Sequence, residues 1–351
     1  MPRNHAHLVR PVPGGLPPVM RVHGPAALVQ AVPYLIGFHP ARSLVLVGLH
    51  DGRLVVTARL DLELGNGDDD LAHALRVLLN GGVTEVVALV YDGDADDGWM
   101  PRTLVRLGDL AEQGGAGILD VLLVNSGRWR SMCCDDDACC PPEGRPIDEQ
   151  TSEFAAAATF AGVVPHADRD ALSAILEPAA PASRATLAPL IAAAADLRAG
   201  GSTGPPGRTE RAVKRALFAA ARASDARGQC AELTPADLAR FAVGLAILAV
   251  RDSLWMAVDA GRLDGRPLWA DLARRLPCPY DAAPSFLFGW RSWRSGNGAL
   301  AGIAARRAIE SDPGYSAADL LLAAVNGGVD PRRLPTLRPP RPPRPPRPPR
   351  R

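Results

Sequence analysis

The sequence contains very little lysine and few aromatic residues. Lys214 is the single lysine among 351 residues, and aromatic residues make up 5%. Arginine is abundant together with Ala, Gly and Pro, a bias typical of G+C-rich coding, so it says little about nucleic-acid binding. The formal net charge of +1 includes six arginines in residues 338–351, so the remainder of the chain is mildly acidic. This balance argues against a broad nucleic-acid-binding face.

Long apolar segments are also absent. The most apolar run, residues 241–250, is flanked by Arg240 and Arg251, whereas a bilayer span needs about 20 apolar residues. Residues 1–15 lack the continuous apolar stretch of a secretory signal. We therefore expect a cytoplasmic protein without membrane contact, in which cysteines stay reduced.

Recognisable catalytic motifs are missing as well. The chain contains no G-x-S-x-G, no H-E-x-x-H and no phosphate-binding loop. Residues 296–302, GNGALAG, are similar to a dinucleotide fingerprint, but a predicted helix precedes them where the fingerprint needs a strand. The residues identify no reaction, and this favours a protein that is not an enzyme.

Four of the six cysteines lie in residues 128–147, RWRSMCCDDDACCPPEGRPI. The spacing of Cys134 and Cys139 is at the long end of those that wrap a backbone around zinc, and Cys140 is a third candidate ligand. Because the intervening aspartates favour a turn, we expect the three sulfurs to lie close together. Three interpretations remain open: a metal site, with zinc as the candidate ion, a redox-sensitive disulfide, and a purely structural turn.

Strand and helix patterns alternate in the first half of the chain. Asp51-Gly52 is typical of the two-residue turn of an antiparallel hairpin. Strands are predicted at 43–49, 54–60, 85–91 and 118–125, and helices at 25–35, 68–80 and 101–113. Beyond residue 149 only helices are predicted, at 150–161, 168–177, 182–198, 208–227, 235–260, 266–275, 281–294, 298–310 and 316–326. The pattern predicts an α+β fold, with an N-terminal mixed α/β sheet layer followed by an all-helical C-terminal half.

Composition divides the chain into four parts. Residues 1–18 are rich in Pro and Gly and are expected to be disordered. Residues 19–150 are predicted to form a mixed α/β domain that ends in the Cys-rich segment. Residues 151–330 are predicted to form a helical region with a flexible linker near 200–207. Residues 331–351 end in an Arg-Pro-Pro repeat, expected to be a disordered polyproline II tail that is either simply solvated or a docking motif for a partner protein.

Polar residues follow the predicted strands. In open α/β sheets, ligands bind beyond the carboxyl ends of parallel strands. Arg59, Asp61, Asp92, Asn125 and Arg128 stand at or after such ends. Arg59 and Asp61 are two positions apart, so their side chains share one face of the sheet. This predicts a site for a small polar ligand, with an ordinary Arg59–Asp61 ion pair as the alternative.

Several segments are similar to one known family. Residues 32–49, VPYLIGFHPARSLVLVGL, resemble the opening signature of the "domain of unknown function 4192" family of high-G+C bacteria. Residues 54–62, 128–147, 166–172 and 296–322 are similar to later segments of the same family. The resemblance implies no activity. Cys133 departs from the family pattern, which has an apolar or aromatic residue at this position.

Our first functional hypothesis is a cytoplasmic, non-catalytic regulatory protein that binds a metal or another ligand through the Cys-rich segment. One alternative is an enzyme that acts on a small polar metabolite at the strand ends. Another is a protein-interaction scaffold that uses the helical half and the arginine–proline tail. A convergent group of thiols favours the first hypothesis, a deep polar pocket the second and an exposed apolar groove the third.

Overall fold

The computed structural model describes residues 22–62, 67–92, 99–148, 153–160, 163–200 and 207–337. The chain divides into two compact units. We call Met1–Glu177 with Ser292–Pro331 the sheet unit, and Pro178–Arg291 with Arg332–Arg351 the helical unit. The segment predicted to be disordered at 1–18, most of the linker near 200–207 and residues 338–351 of the tail lie outside the described residues.

A mixed six-stranded sheet lies at the centre of the sheet unit. Its strands are β1 (Ser43–His50), β2 (Arg53–Asp61), β3 (Glu85–Tyr91), β4 (Gly117–Asn125), β5 (Arg128–Ser131) and β6 (Arg145–Pro146), in the order β2-β1-β3-β4-β5-β6. Only β3 and β4 pair in parallel among these neighbours. The predicted β1–β2 hairpin is confirmed, and its turn residues Asp51 and Gly52 have φ values of 50° and 66°, as a type I′ turn requires.

Helices cover both faces of this sheet. The helices before the helical unit are α1 (Gly24–Ile36), α2 (Gly67–Asn80), α3 (Trp99–Gln113), α4 (Glu153–Phe160) and α5 (Arg169–Ser173). One sheet face carries Leu44, Leu46 and Ala88, which form a buried core with Leu75 and Leu78 of α2. The alternate strand residues point to the opposite face, where α1 and α4 pack through the edge-to-face rings of Tyr34 and Phe154, 5.8 Å apart.

The second half of the chain is helical, as predicted. Its helices are α6 (Pro181–Ala185), α7 (Ala188–Gly200), α8 (Arg208–Arg227), α9 (Pro235–Leu245), α10 (Leu248–Asp259), α11 (Arg266–Arg275), α12 (Ala282–Arg294), α13 (Gly298–Ser311) and α14 (Ser316–Asn326). The two last helices belong to the sheet unit. There α13 contacts α5, and Gly328 packs against Val77 of α2. The division of the chain by packing therefore differs from the division by composition at residue 150.

The helix predicted over residues 235–260 is two helices. They are broken at Ala246 and Ile247, where Ile247 adopts an extended conformation with ψ of 113°. Within the described ranges, no single helix is long and apolar enough to cross a membrane, and α9 and α10 meet the criterion only when taken together across a 93° bend.

Candidate functional site

The cysteine segment forms a loop between β5 and β6. At its start, the backbone amide of Met132 donates a hydrogen bond to the carbonyl of Val121 at 2.7 Å. At its end, the Arg128 guanidinium donates to the carbonyls of Glu143 and Gly144 at 2.7 to 3.1 Å. Both ends of the loop are thus tied to the sheet. Arg128 is also one of the predicted ligand-binding residues; it holds the loop through these bonds, and ligand binding by it stays a prediction.

Asp136 builds the turn between the cysteines. Its carbonyl accepts hydrogen bonds from the backbone amides of Cys139 at 2.9 Å and Cys140 at 2.6 Å. Its carboxylate accepts from the amide of Ala138 at 2.9 Å, the local bonding that makes aspartate a turn former. Arg145 of β6 donates from its guanidinium to the carbonyls of Cys139 and Ala138. The turn is therefore held from inside the loop and from the neighbouring strand.

This turn brings three thiols together. The Sγ atoms of Cys134, Cys139 and Cys140 all lie within 4.8 Å of one another, which confirms the predicted convergence. We call these residues the thiol cluster. Cys133 is exposed and is not a member, although it directly precedes Cys134. Because Zn–S bonds of about 2.3 Å place tetrahedral sulfurs about 3.8 Å apart, only a small closure would seat an ion.

The surroundings of the thiol cluster shift two pKa values in opposite directions. A hydrogen bond from the Asp136 backbone lowers the pKa of Cys134, but the neighbouring thiols and burial outweigh it and raise that pKa overall. A hydrogen bond from the Ser131 backbone lowers the pKa of Cys140, and the other thiols and Arg145 add to this effect against burial. Of these two thiols, Cys140 therefore ionises more readily than Cys134, and thiolate is the form that binds metal.

The strand ends converge at one edge of the sheet. Ser43 at the start of β1 pairs with Asp61 at the end of β2 and with Tyr91 at the end of β3. The parallel strand β4 ends beside β3 at Asn125. Asp92 follows Tyr91, and its carboxylate accepts from the amide of Arg42 at 3.4 Å. All five predicted ligand-binding residues therefore lie at or near this edge, since Arg59 precedes Asp61 by two positions and Arg128 pairs with Asn125.

Arg59 is engaged by structural partners. Its Nη2 lies 2.7 Å from Oδ1 of Asp61 and donates to the carbonyl of Ala41 at 3.4 Å. Its guanidinium carbon stands 5.5 Å from the centre of the Phe38 ring. Arg169, which the sequence reasoning missed, binds the other oxygen of Asp61 at 3.2 Å. The contact joins residues 108 positions apart, and nothing in the local sequence indicates it. Ligand binding by these residues stays a prediction.

A cavity of about 140 Å³ lies at the carboxyl end of β3. Tyr91 contributes to its wall, together with Gln30 and Tyr34 of α1 and His39 after that helix. None of the predicted ligand-binding side chains lines it. The sequence predicts a ligand site at the same end of the sheet but does not indicate the residues around this cavity, because the cavity depends on how α1 packs over the strand.

The comparisons with known proteins give a family and no activity. A family model described as "Domain of unknown function (DUF4192)" matches residues 25–332. No curated protein and no solved structure matches the chain. The matched range contains the sheet, the thiol cluster and most of the helices. The chain therefore belongs to the domain of unknown function 4192 family.

Proposed function

We propose that this protein is a cytoplasmic, non-catalytic regulatory protein that binds zinc through Cys134, Cys139 and Cys140. The observation that carries the proposal is the convergence of three Sγ atoms within 4.8 Å. Thiolate ligands suit zinc, which binds cysteine sulfur in tetrahedral sites. A reducing cytoplasm keeps the thiols available for the ion.

Three protein ligands leave one coordination position for water or another ligand. Cys139 is exposed, so a further ligand from solution has access to an ion held there. The hydrogen bonds of Arg145 connect the loop backbone at Cys139 with β6. Binding or loss of the ion would therefore shift the loop backbone and, through Arg145, the edge strand β6. Such a shift is the conformational change that we propose for regulation.

Zinc titration of single-cysteine variants tests this proposal. The reduced wild-type protein should bind one zinc ion per chain in competition with a chromophoric chelator. Loss of even an outer-shell partner weakens metal sites by about 10- to 100-fold, so Cys134→Ser, Cys139→Ser and Cys140→Ser should each weaken binding by at least about 100-fold. Cys133→Ser is the matched control, because this neighbouring cysteine lies outside the cluster. Equal loss in Cys133→Ser, or no binding by wild type, would contradict the proposal.

A further inference from the structure

The three residues of the thiol cluster differ in their access to solvent. Cys139 is exposed, Cys134 is half-buried and Cys140 is buried. An oxidant from solution therefore meets Cys139 first, because the susceptibility of a thiol to oxidation follows its exposure as well as its ionisation. All three sulfurs nevertheless lie within 4.8 Å of one another, so an oxidised Cys139 has a second thiol beside it.

Chain geometry decides which neighbour can pair with Cys139. Cys140 is the next residue, and the Cα atoms of consecutive residues are about 3.8 Å apart across a trans peptide. A disulfide normally joins Cα atoms about 4.4–6.8 Å apart, so a bond between Cys139 and Cys140 would be strained. Cys134 precedes the turn that Asp136 builds, and this turn has already brought its sulfur to the cluster. Cys134 is therefore the favoured partner of Cys139.

The two remaining cysteines of the segment are left as thiols. Cys133 is exposed, but its sulfur is not among those that converge. Cys140 is only 8% exposed, so an oxidant reaches it more slowly than Cys139. A single remaining thiol cannot hold zinc, because zinc sites use three or four protein ligands. Loss of Cys134 and Cys139 to a disulfide therefore removes the metal site.

We propose that hydrogen peroxide converts the thiol cluster from a zinc site to a Cys134–Cys139 disulfide. The Cys139 thiolate attacks one peroxide oxygen, so that an S–O bond forms, the O–O bond breaks and the departing hydroxide takes up a proton to become water. The Cys134 thiol then attacks the oxidised sulfur. An S–S bond forms, the S–O bond breaks, and the hydroxyl leaves with the thiol proton as a second water. The two sulfurs together lose two electrons, which reduce the peroxide.

The disulfide takes two of the three zinc ligands, so the ion leaves when it forms. This release of zinc rests on the proposed function, whereas formation of the disulfide does not. A dithiol reductant reverses the bond by thiol–disulfide exchange, and disulfides of cytosolic proteins are usually transient ones of this redox-sensing kind. Peroxide thus regulates whether the cluster holds an ion.

Disulfide mapping of the zinc-free, reduced full chain tests which sulfurs pair. Three consecutive aspartates, residues 135–137, lie between the two pairs of cysteines. A protease that cleaves at aspartate therefore separates the two pairs into different peptides unless a disulfide joins them. After brief treatment with hydrogen peroxide and alkylation of the remaining thiols, mass spectrometry of wild type should show the two peptides joined, with alkylated thiols at Cys133 and Cys140.

Serine variants identify the two sulfurs in the bond. Cys134→Ser and Cys139→Ser should each lower the joined fraction at least about tenfold, because the buried Cys140 and the outlying Cys133 are poor substitutes. Cys133→Ser is the matched control for Cys134→Ser, and Cys140→Ser is the matched control for Cys139→Ser. Both controls should give the joined peptides like wild type. No joined peptides in wild type, or joined peptides that persist in Cys134→Ser or Cys139→Ser, would overturn the proposed pair.

Zinc-loaded protein tests the release of the ion separately. Peroxide should transfer the zinc of wild type and of Cys133→Ser to a chromophoric chelator, and a dithiol reductant should restore zinc binding. Zinc that stays bound after the disulfide has formed would overturn the release. Wild type that binds zinc but forms no disulfide would overturn the redox proposal and leave the zinc site. Wild type that forms the disulfide but never binds zinc would overturn the proposed function and leave the peroxide-sensitive pair.

Discussion

Asp61 holds two arginines, one on each carboxylate oxygen, and the two pairs differ in burial. The Arg59 side chain is 15% exposed and that of Arg169 is 46% exposed. Asp61→Ala should lower the free energy of unfolding by about 1–3 kcal/mol, since it leaves the sheltered Arg59 without its counter-charge. Arg169→Ala removes only the exposed pair and should cost less than about 1 kcal/mol. Urea denaturation measures the free energy of unfolding of both variants. Equal decreases would show that the Arg59–Asp61 pair contributes no more to stability than an exposed ion pair.

Asp264 gives the helical unit a pH-dependent contribution to stability. Burial alone would raise the pKa of Asp264, but the hydrogen bonds and charge of Arg266 and the charge of Arg291 outweigh it and lower that pKa. Since the folded-state pKa lies below the unfolded value of about 3.9, this contribution is complete above that pH and is lost as pH falls through the folded-state pKa. The stability difference between wild type and Asp264→Asn should therefore shrink as pH falls below about 4.

Asp225 is the matched control for this pH series. Burial raises the pKa of Asp225, and the charge of Asp264 adds to this. Its folded-state pKa lies above the unfolded value, so its ionisation costs stability as pH rises. The free energy of unfolding of wild type minus that of Asp225→Asn should therefore fall as pH rises, whereas the corresponding difference for Asp264→Asn should rise. Denaturation curves from pH 2 to 7 distinguish the two, and parallel trends would contradict the assignment of the shifts.

At the scale of elements, β1 depends on a glycine where α2 approaches the sheet. A Cβ atom at Gly48 would lie 2.5 Å from Cγ2 of Val83 and 3.2 Å from Cδ2 of Leu78. Gly48→Ala should therefore cost about 1–3 kcal/mol by overpacking. Gly117→Ala is the control, since a Cβ at this strand glycine meets nothing within 4 Å. Thermal unfolding compares the two, and equal midpoints would contradict the close approach.

The elements that local pattern determines could be predicted from the sequence. The strand Glu85–Tyr91 and the helices Arg208–Arg227 and Arg266–Arg275 agree with prediction at both ends, because their apolar periodicity and flanking glycines or prolines mark the bounds. The thiol cluster could be predicted for the same reason, since a short turn alone brings its residues together.

The features that depend on tertiary packing could not be predicted from the sequence. The break after α9 falls within a continuous apolar run, and α8 lies so close to α9 that a Cβ at Gly244 would be 2.5 Å from Cγ2 of Val213. The short strands β5 and β6 carry too few residues for a periodic signal. Arg169 and the cavity at Tyr91 depend on contacts between distant segments, which one sequence does not reveal.

For the whole molecule, the described chain ends at an anchored residue. The backbone amide of Leu337 donates to Oδ2 of Asp259 at 2.6 Å, and Trp290 donates from Nε1 to the other oxygen of the same carboxylate at 2.9 Å. Deleting residues 338–351 removes the Arg-Pro-Pro repeat but keeps this anchor. The melting temperature should therefore change by no more than about 2 °C.

A longer deletion that begins at residue 334 is the matched comparison for the tail. It removes the Leu337 contact and exposes the buried Asp259 carboxylate, so it should lower the melting temperature by more than the shorter deletion does. A fall of about 5 °C or more with the shorter deletion would show instead that the repeat itself docks on the folded chain.

Elemental analysis of the protein, purified without chelators or a metal-binding tag, tests the zinc proposal most directly. We expect one zinc ion per chain in wild type and in Cys133→Ser, and its loss when Cys134, Cys139 or Cys140 is replaced by serine. Mass measurement of the same denatured samples should show all cysteines reduced. Wild-type protein without zinc that also fails to take it up after reduction, or zinc that remains in all three cluster variants, would show that Cys134, Cys139 and Cys140 do not form a zinc site.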